Sequence, residues 1–165
     1  MRQHKFLAKL RKCSFAKSEV EYLGHIISEK GLHTDPSKLQ AVAEWPKPVS
    51  IKGLRGFMGL TDYYRRFIKG YGVINRPLIG MLKKNSFQWG EEVEHAFEQL
   101  KQALCLAPVL ALPDFQKPFI IDADACHKGM MAVLIQEGRP IAYYSKACGD
   151  KHLGLSIMRM SICLS

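Results

Sequence analysis

The sequence predicts an α+β fold, with strands first, helices in the middle and strands again at the end. Three observations carry this. The stretch VEYLGHIIS, Val20 to Ser28, is rich in Val, Ile and aromatics and reads as extended chain; the middle holds capped segments with apolar residues at helical spacing; and Phe119 to Ser145 falls into three short apolar runs. With 165 residues and 47% hydrophobic content, the chain has material for one ordinary domain or two small ones.

Taken in order, Phe6, Leu7 and Leu10 predict a short amphipathic helix over Gln3 to Leu10. KCSF and VEYLGHIIS are predicted as the two strands of an N-terminal β-hairpin, with KSE as their connection. Thr34-Asp35-Pro36 is a strong helix start, because Asp35 accepts from free amides and Pro36 lacks the donor that would go unpaired there. That helix should run to about Trp45, where Pro46 and Pro48 disfavour its continuation. Ser50 caps a second helix through Leu54, Phe57, Met58 and Leu60, and after Thr61-Asp62 the block YYRRFIKGYG reads as a further short helix. Pro77 to Leu82 is a short apolar helix. Glu91 to about Leu104 is a long one, with Val93, Phe97, Leu100 and Leu104 on one stripe and acids in its first turn. Pro108 stops it, APVLALPDFQKP forms an extended connector, and three strands follow at Phe119–Asp124, Met130–Gln136 and Arg139–Ser145. Glu137-Gly138 is a tight turn between the last two.

Composition narrows the function classes. Met1 to Gly90 carries 17 Lys+Arg against 6 Asp+Glu, whereas Glu91 to Ser165 carries 7 against 9. A basic front half (+11) beside a slightly acidic back half (−2) suits a polyanion, most often nucleic acid. The five cysteines are scattered without zinc-type spacing and no two histidines pair at metal-ligand spacing, so reduced structural thiols are expected. No apolar run reaches membrane-span length, so no membrane partner is expected, and the first eighteen residues lack the apolar block of a secretory signal. Those eighteen residues are basic and free of acid, which leaves the compartment open between cytoplasm, nucleus and mitochondrion.

Two groups of residues carry chemistry. In YYRRFIKGYG, Tyr63, Tyr64, Phe67 and Ile68 fall in helical register between Arg65, Arg66 and Lys69. Guanidinium forks suit phosphate, while the tyrosines pack on sugar or on the core. With Arg55, Lys83 and Lys84 these are the candidate nucleic-acid-binding residues. In FIIDADACHKG, Asp122 and Asp124 share one face of a strand, as residues two apart do. Two exposed carboxylates on one strand hold Mg²⁺ poorly, because the ion dehydrates reluctantly.

Four blocks together resemble the Pol polyprotein of gypsy-type LTR retrotransposons: KCSFAKSEVEYLGHIISEKGLHTDPSKLQAVAEWPKP, LRGFMGLTDYYRRFIKGYGVINRPL, LKKNSFQWGEEVEHAFEQLKQAL and PVLALPDFQKPFIIDADACHKGMMAVLIQEGRPIAYYSKA. The resemblance covers Phe6 to about Ile157 and implies an organisation. Residues 1–33 would be the end of a polymerase palm, with a primer-grip-like hairpin at Leu23, Gly24 and His25. Residues 34–106 would be a helical thumb and connection, and 107–157 the opening three-stranded antiparallel meander of an incomplete RNase H-like fold. Asp124 aligns with that family's first catalytic aspartate, with Asp122 as a possible helper, although Ala123 and Cys126 replace the usual Thr and Ser.

The resemblance also implies what this chain does alone. The intact family uses Mg²⁺ for polymerisation and RNA cleavage. No Tyr-x-Asp-Asp turn occurs here and only Asp124 matches an RNase H ligand, so no metal or other cofactor is expected in this chain alone. The expected function is that of a reverse transcriptase fragment, non-catalytic alone and binding an RNA/DNA or DNA duplex weakly. Self-association through an open sheet edge is expected beside it, since the first strand of the meander lacks a neighbour. The alternatives are an RNase H-like nuclease completed by a partner chain, a non-catalytic interaction module, and a degenerate remnant. After SKA the family continues with a segment like LSIYEKE, where this chain has LSIMRMSICLS with Arg159 at the first Glu. Residues 158–165 read as an out-of-frame tail. Written as ATT ATG AGA ATG AGT ATA TGT, codons 157 to 163 become Ile-Tyr-Glu-Asn-Glu-Tyr-Met when one T is inserted after the first.

Overall fold

A computed structural model describes Lys9, Cys13 and residues 15–83, 86–126 and 129–148. The helix expected over Gln3 to Leu10, apart from Lys9, the candidate Lys84 and the tail at 158–165 lie outside the described residues.

Among the described residues the first element is not a two-stranded hairpin of KCSF and VEYLGHIIS but a three-stranded antiparallel sheet. Its strands are β1 (Glu19–Tyr22), β2 (His25–Ser28) and β3 (Gly31–Thr34), in that order. VEYLGHIIS is split in two because Leu23 and Gly24 form the turn, with Tyr22 paired to His25 across it. Both turn residues have positive φ, 52° and 74°, the conformation that matches the twist of a tight hairpin. Cys13 and Phe15 of KCSF are not in a strand, and KSE lies before the turn or in β1.

The helices follow their caps. Ser37 N–H donates to Asp35 Oδ1 at 2.8 Å at the start of α1 (Pro36–Ala43), a bond that also lowers the Asp35 pKa. Gly53 N–H donates to Ser50 Oγ at 3.2 Å at the start of α2 (Ile51–Tyr63). A 3₁₀ turn at Arg65–Phe67 then leads to two short helices, α3 (Tyr71–Ile74) and α4 (Arg76–Met81), and to the long α5 (Glu91–Cys105). α3 was not anticipated from the sequence. Glu91, Glu92 and Glu94 in the first turn of α5 oppose its positive end.

One core joins these helices. Val42 from α1, Leu54 and Phe57 from α2, Tyr64, Phe67, Ile68 and Tyr71 from the following segment, and Phe97, Leu100 and Leu104 from α5 are buried together. Phe57 and Phe97 lie with ring centroids 4.5 Å apart, within the range of favourable aromatic pairs.

The second sheet is the expected meander, β4 (Ile120–Cys126), β5 (Gly129–Gln136) and β6 (Arg139–Ala147), antiparallel in that order. Glu137 and Gly138 turn with φ of 51° and 75°, as at Leu23-Gly24. The connector before β4 is tied to both sheets. Leu32 and Leu110 exchange two backbone hydrogen bonds of 2.8 Å, and Ala111 N–H donates to Pro140 O at 2.7 Å. The buried Gln136 amide fastens the end of the connector, accepting from Asp114 N–H at 2.9 Å and donating to Asp114 O at 2.8 Å.

Gly31 makes the Leu32–Leu110 pairing possible. Its φ is 131°, and a Cβ there would lie 2.1 Å from Leu110 O. Gly31→Ala therefore strains its own backbone and separates the connector from β3. We expect a loss of more than about 2 kcal/mol of unfolding free energy, measured as a lowered midpoint in urea titration followed by far-UV dichroism.

Candidate functional site

The segment from Tyr63 to Tyr71 sorts its side chains sharply. Tyr64, Phe67, Ile68, Gly70 and Tyr71 are buried, while Tyr63, Arg65, Arg66 and Lys69 are exposed. Of the two tyrosines considered for a duplex surface, Tyr64 takes the core alternative, since only 1% of it is accessible. The reason is the turn at Leu23-Gly24. Tyr64 Oη donates to Gly24 O at 3.0 Å and Tyr63 Oη donates to Leu23 O at 2.6 Å. Neighbouring hydroxyls from the end of α2 thus latch the carbonyls of a turn forty residues earlier. Burial, first of all, raises the Tyr64 pKa.

His25 sits inside this latch. It stacks on Tyr63 at 5.3 Å with rings 12° apart, meets Tyr64 edge-on at 5.4 Å, and lies 5.5 Å from Phe67. Only 7% of it is exposed, and its Nδ1 has no hydrogen-bond partner. Burial and then the Arg66 charge lower its pKa. Leu23, Gly24 and His25, the primer-grip-like residues of the resemblance, therefore form one structural unit with the Tyr-Tyr-Arg-Arg block.

The exposed cations point to different places. Lys69 lines a small cleft of about 110 Å³ together with Asp122 and Asp124. Arg65, paired with Asp62 at 3.4 Å, lines a second cleft against β6. Arg55 on α2, Arg66 on the 3₁₀ turn and Lys83 after α4 are exposed, and no ion pair among the described residues engages them. Asp122 and Asp124 face the cleft from β4, opposite Val133 and Met131 of β5.

The donor set in that cleft does not fit Mg²⁺. Only two carboxylate residues line it, too few to replace the water shell that Mg²⁺ gives up reluctantly, and the third ionisable residue of the lining, Lys69, is a cation. Among the described residues no three His, Cys, Asp or Glu side chains form a group that could hold an ion. Among the described residues no helix is long and apolar enough to cross a membrane.

The geometry around His25 predicts a pH dependence. A pKa lowered by folding means that the unfolded chain binds the proton more readily. The His25 contribution is complete above the ordinary value of 6.5 and is lost as pH falls through the lower folded value. Nearby charged and titratable groups are Arg66, Tyr63, Tyr64 and, beyond Tyr64, Asp35. Stability measured by urea titration from pH 7.5 to 5 should fall more steeply for the parent than for His25→Leu. Equal slopes would show that His25 does not titrate in this way.

Comparison with known proteins agrees with this architecture. Residues 89–163 match the RNase H-like domain found in reverse transcriptase. An uncharacterized mitochondrial protein of Arabidopsis thaliana is 52% identical over 120 residues, covering 72% of this chain and 76% of that protein. Retrovirus-related Pol polyproteins of Drosophila melanogaster are also similar. That from transposon 297 is 38% identical over 93% of this chain, and that from transposon gypsy 40% identical over 82%. The chain spans 15% and 14% of those two polyproteins. Among solved structures, a foamy viral protease-reverse transcriptase in complex with an RNA/DNA hybrid superposes with a TM-score of 0.82 at 23% identity. It covers 92% of this chain and 22% of its own. The foamy viral protease-reverse transcriptase dRH in complex with double-stranded DNA gives 0.80 at 23% identity over 87% of this chain and 26% of its own. The chain belongs to the retrotransposon Pol polyproteins, of which it forms a segment that runs into the RNase H-like domain.

Proposed function

We propose that this segment grips a template-primer duplex, serving the RNA-directed DNA synthesis of the polyproteins to which it belongs. One observation carries the reading: residues 63–71 bury Tyr64, Phe67 and Tyr71 and latch Tyr63 and Tyr64 onto the Leu23-Gly24 turn, leaving Arg65, Arg66 and Lys69 on the surface. A rigid aromatic base holds the arginines at low conformational cost, and Arg55 and Lys83 add charge from α2 and the end of α4. The solved reverse transcriptase of the same fold, held in complex with an RNA/DNA hybrid, supports the choice of ligand. Phosphate contacts position a duplex without reading its sequence, so binding should be indifferent to sequence and sensitive to salt. In fluorescence anisotropy with a labelled RNA/DNA hybrid, log affinity should fall linearly with log salt. Arg66→Ala should reduce that slope by about one, the share of a single phosphate contact. No binding at low salt would refute the reading.

A second property follows from the sheet. Among the described residues β4 is paired only to β5, and Ile120 and Ile121 on it are exposed, Ile121 to 71%. An unpaired apolar edge is a template for another strand, and self-association is its simplest outcome. Light scattering should show a mass that rises with concentration and returns to that of a monomer in Ile121→Lys. A concentration-independent monomer in the parent would exclude it.

A further inference from the structure

Between β6 and the helices lies a second cleft, of about 250 Å³, that none of the expected roles uses. Its walls include Asp62, Arg65, Asn75, Tyr143, Tyr144 and Lys146. Asn75 is 4% exposed, and its Oδ1 has no hydrogen-bond partner. A buried acceptor left unpaired costs free energy, so a donor that reaches it gains more than an ordinary surface contact does. Tyr144 is 54% exposed and lines both this cleft and the smaller one at Lys69. Arg65 and Lys146 supply two cations, and Asp62 balances the first through its 3.4 Å pair.

We propose that this cleft receives one unstacked nucleobase of a bound strand. The inference rests on the reading that the segment holds nucleic acid and adds where an unpaired base goes. Pockets for drug-sized ligands span roughly 300–1,000 Å³, so 250 Å³ suits a single base better than a larger molecule. The Tyr144 ring is the stacking platform, a contact every base can make. Lys146 and Arg65 face the flanking phosphates. Asn75 Oδ1 accepts from an exocyclic amino group, which adenine, cytosine and guanine carry. Thymine offers only a ring N–H flanked by two carbonyls that repel the acceptor, and so binds less well.

The test is anisotropy at low salt with labelled dA12, dC12 and dT12 alongside the blunt RNA/DNA hybrid. The parent chain should prefer dA12 and dC12 over dT12 by about three- to tenfold, the ratio one hydrogen bond supports. Asn75→Ala should erase the preference while leaving hybrid binding intact; because the Asn75 side chain also bonds the buried Tyr71 hydroxyl, the urea midpoint of the variant is measured beside it to show that the fold is kept. Tyr144→Ala should weaken all three oligomers by about fivefold or more and spare the hybrid. Hybrid binding with no preference among the oligomers, or a preference that survives Asn75→Ala, overturns the cleft assignment alone. Failure of hybrid and oligomers together overturns both readings.

Discussion

The fold depends on how one reversal of the chain, Tyr63 to Gly72, is buried between two sheets. Its inward residues follow helical spacing through the end of α2 and then break from it, and the break does the connecting. Tyr63 and Tyr64 hold the turn of the first sheet through two carbonyls forty residues upstream. At the other end, Gly72 N–H donates to Ser145 Oγ at 2.7 Å, and a Cβ on Gly72 would lie 2.7 Å from Ser145 O. Only a residue without a side chain lets α3 approach β6 so closely. The same ten residues thus set the distance between the two sheets and present the arginines, so stability and the surface for phosphate are not separable here.

The connector performs the complementary task by backbone alone. Leu110 pairs with Leu32 of β3 and Ala111 with Pro140 of β6, which brings the first sheet and the second into one body without a shared strand. Side chains then secure what the backbone began. Gln136 fills the bend at Asp114 to Pro118 with an amide whose two ends meet a donor and an acceptor, as a buried amide requires. Lys117 reaches Glu137 at 2.8 Å, and this ion pair raises its pKa.

Helices and meander were legible because their signals are local. Asp35-Pro36 and Ser50 act within three residues, and Glu137-Gly138 separates two apolar runs by a turn that only positive φ accommodates. The first sheet was less legible for a physical reason. Leu23 is apolar and sits in an apolar run, so the turn hides inside what reads as one strand, and Leu23 accepts positive φ because Tyr63 and Tyr64 hold the carbonyls on either side of the bend. β3 carries His33 and Thr34 just before a helix cap, and its pairing with Leu110 spans almost eighty residues. No window of sequence contains that partner. Asp122 and Asp124 were visible as a pair, and their likeness to a family motif was visible too, but Lys69 and Asn75 gained their settings only when distant elements met.

The acidic cleft shows how far such settings decide chemistry. Asp122 and Asp124 alternate on β4 and present both carboxylates to one side, a pattern that by itself suggests a cation site. What fills that side is the stretch from Lys69 to Gly70, where Gly70 has a φ of 74° and a Cβ would lie 3.3 Å from the sulfur of Met131. The backbone bends into the face of the sheet there, and Lys69 lines the same cleft as the aspartates. A dication entering the cleft would meet a lysine there as well as the two aspartates. The lining of the aspartate cleft is therefore set in part by a glycine more than fifty residues upstream, whose place in the fold is fixed by the packing of Ile68 and Tyr71 on either side of it.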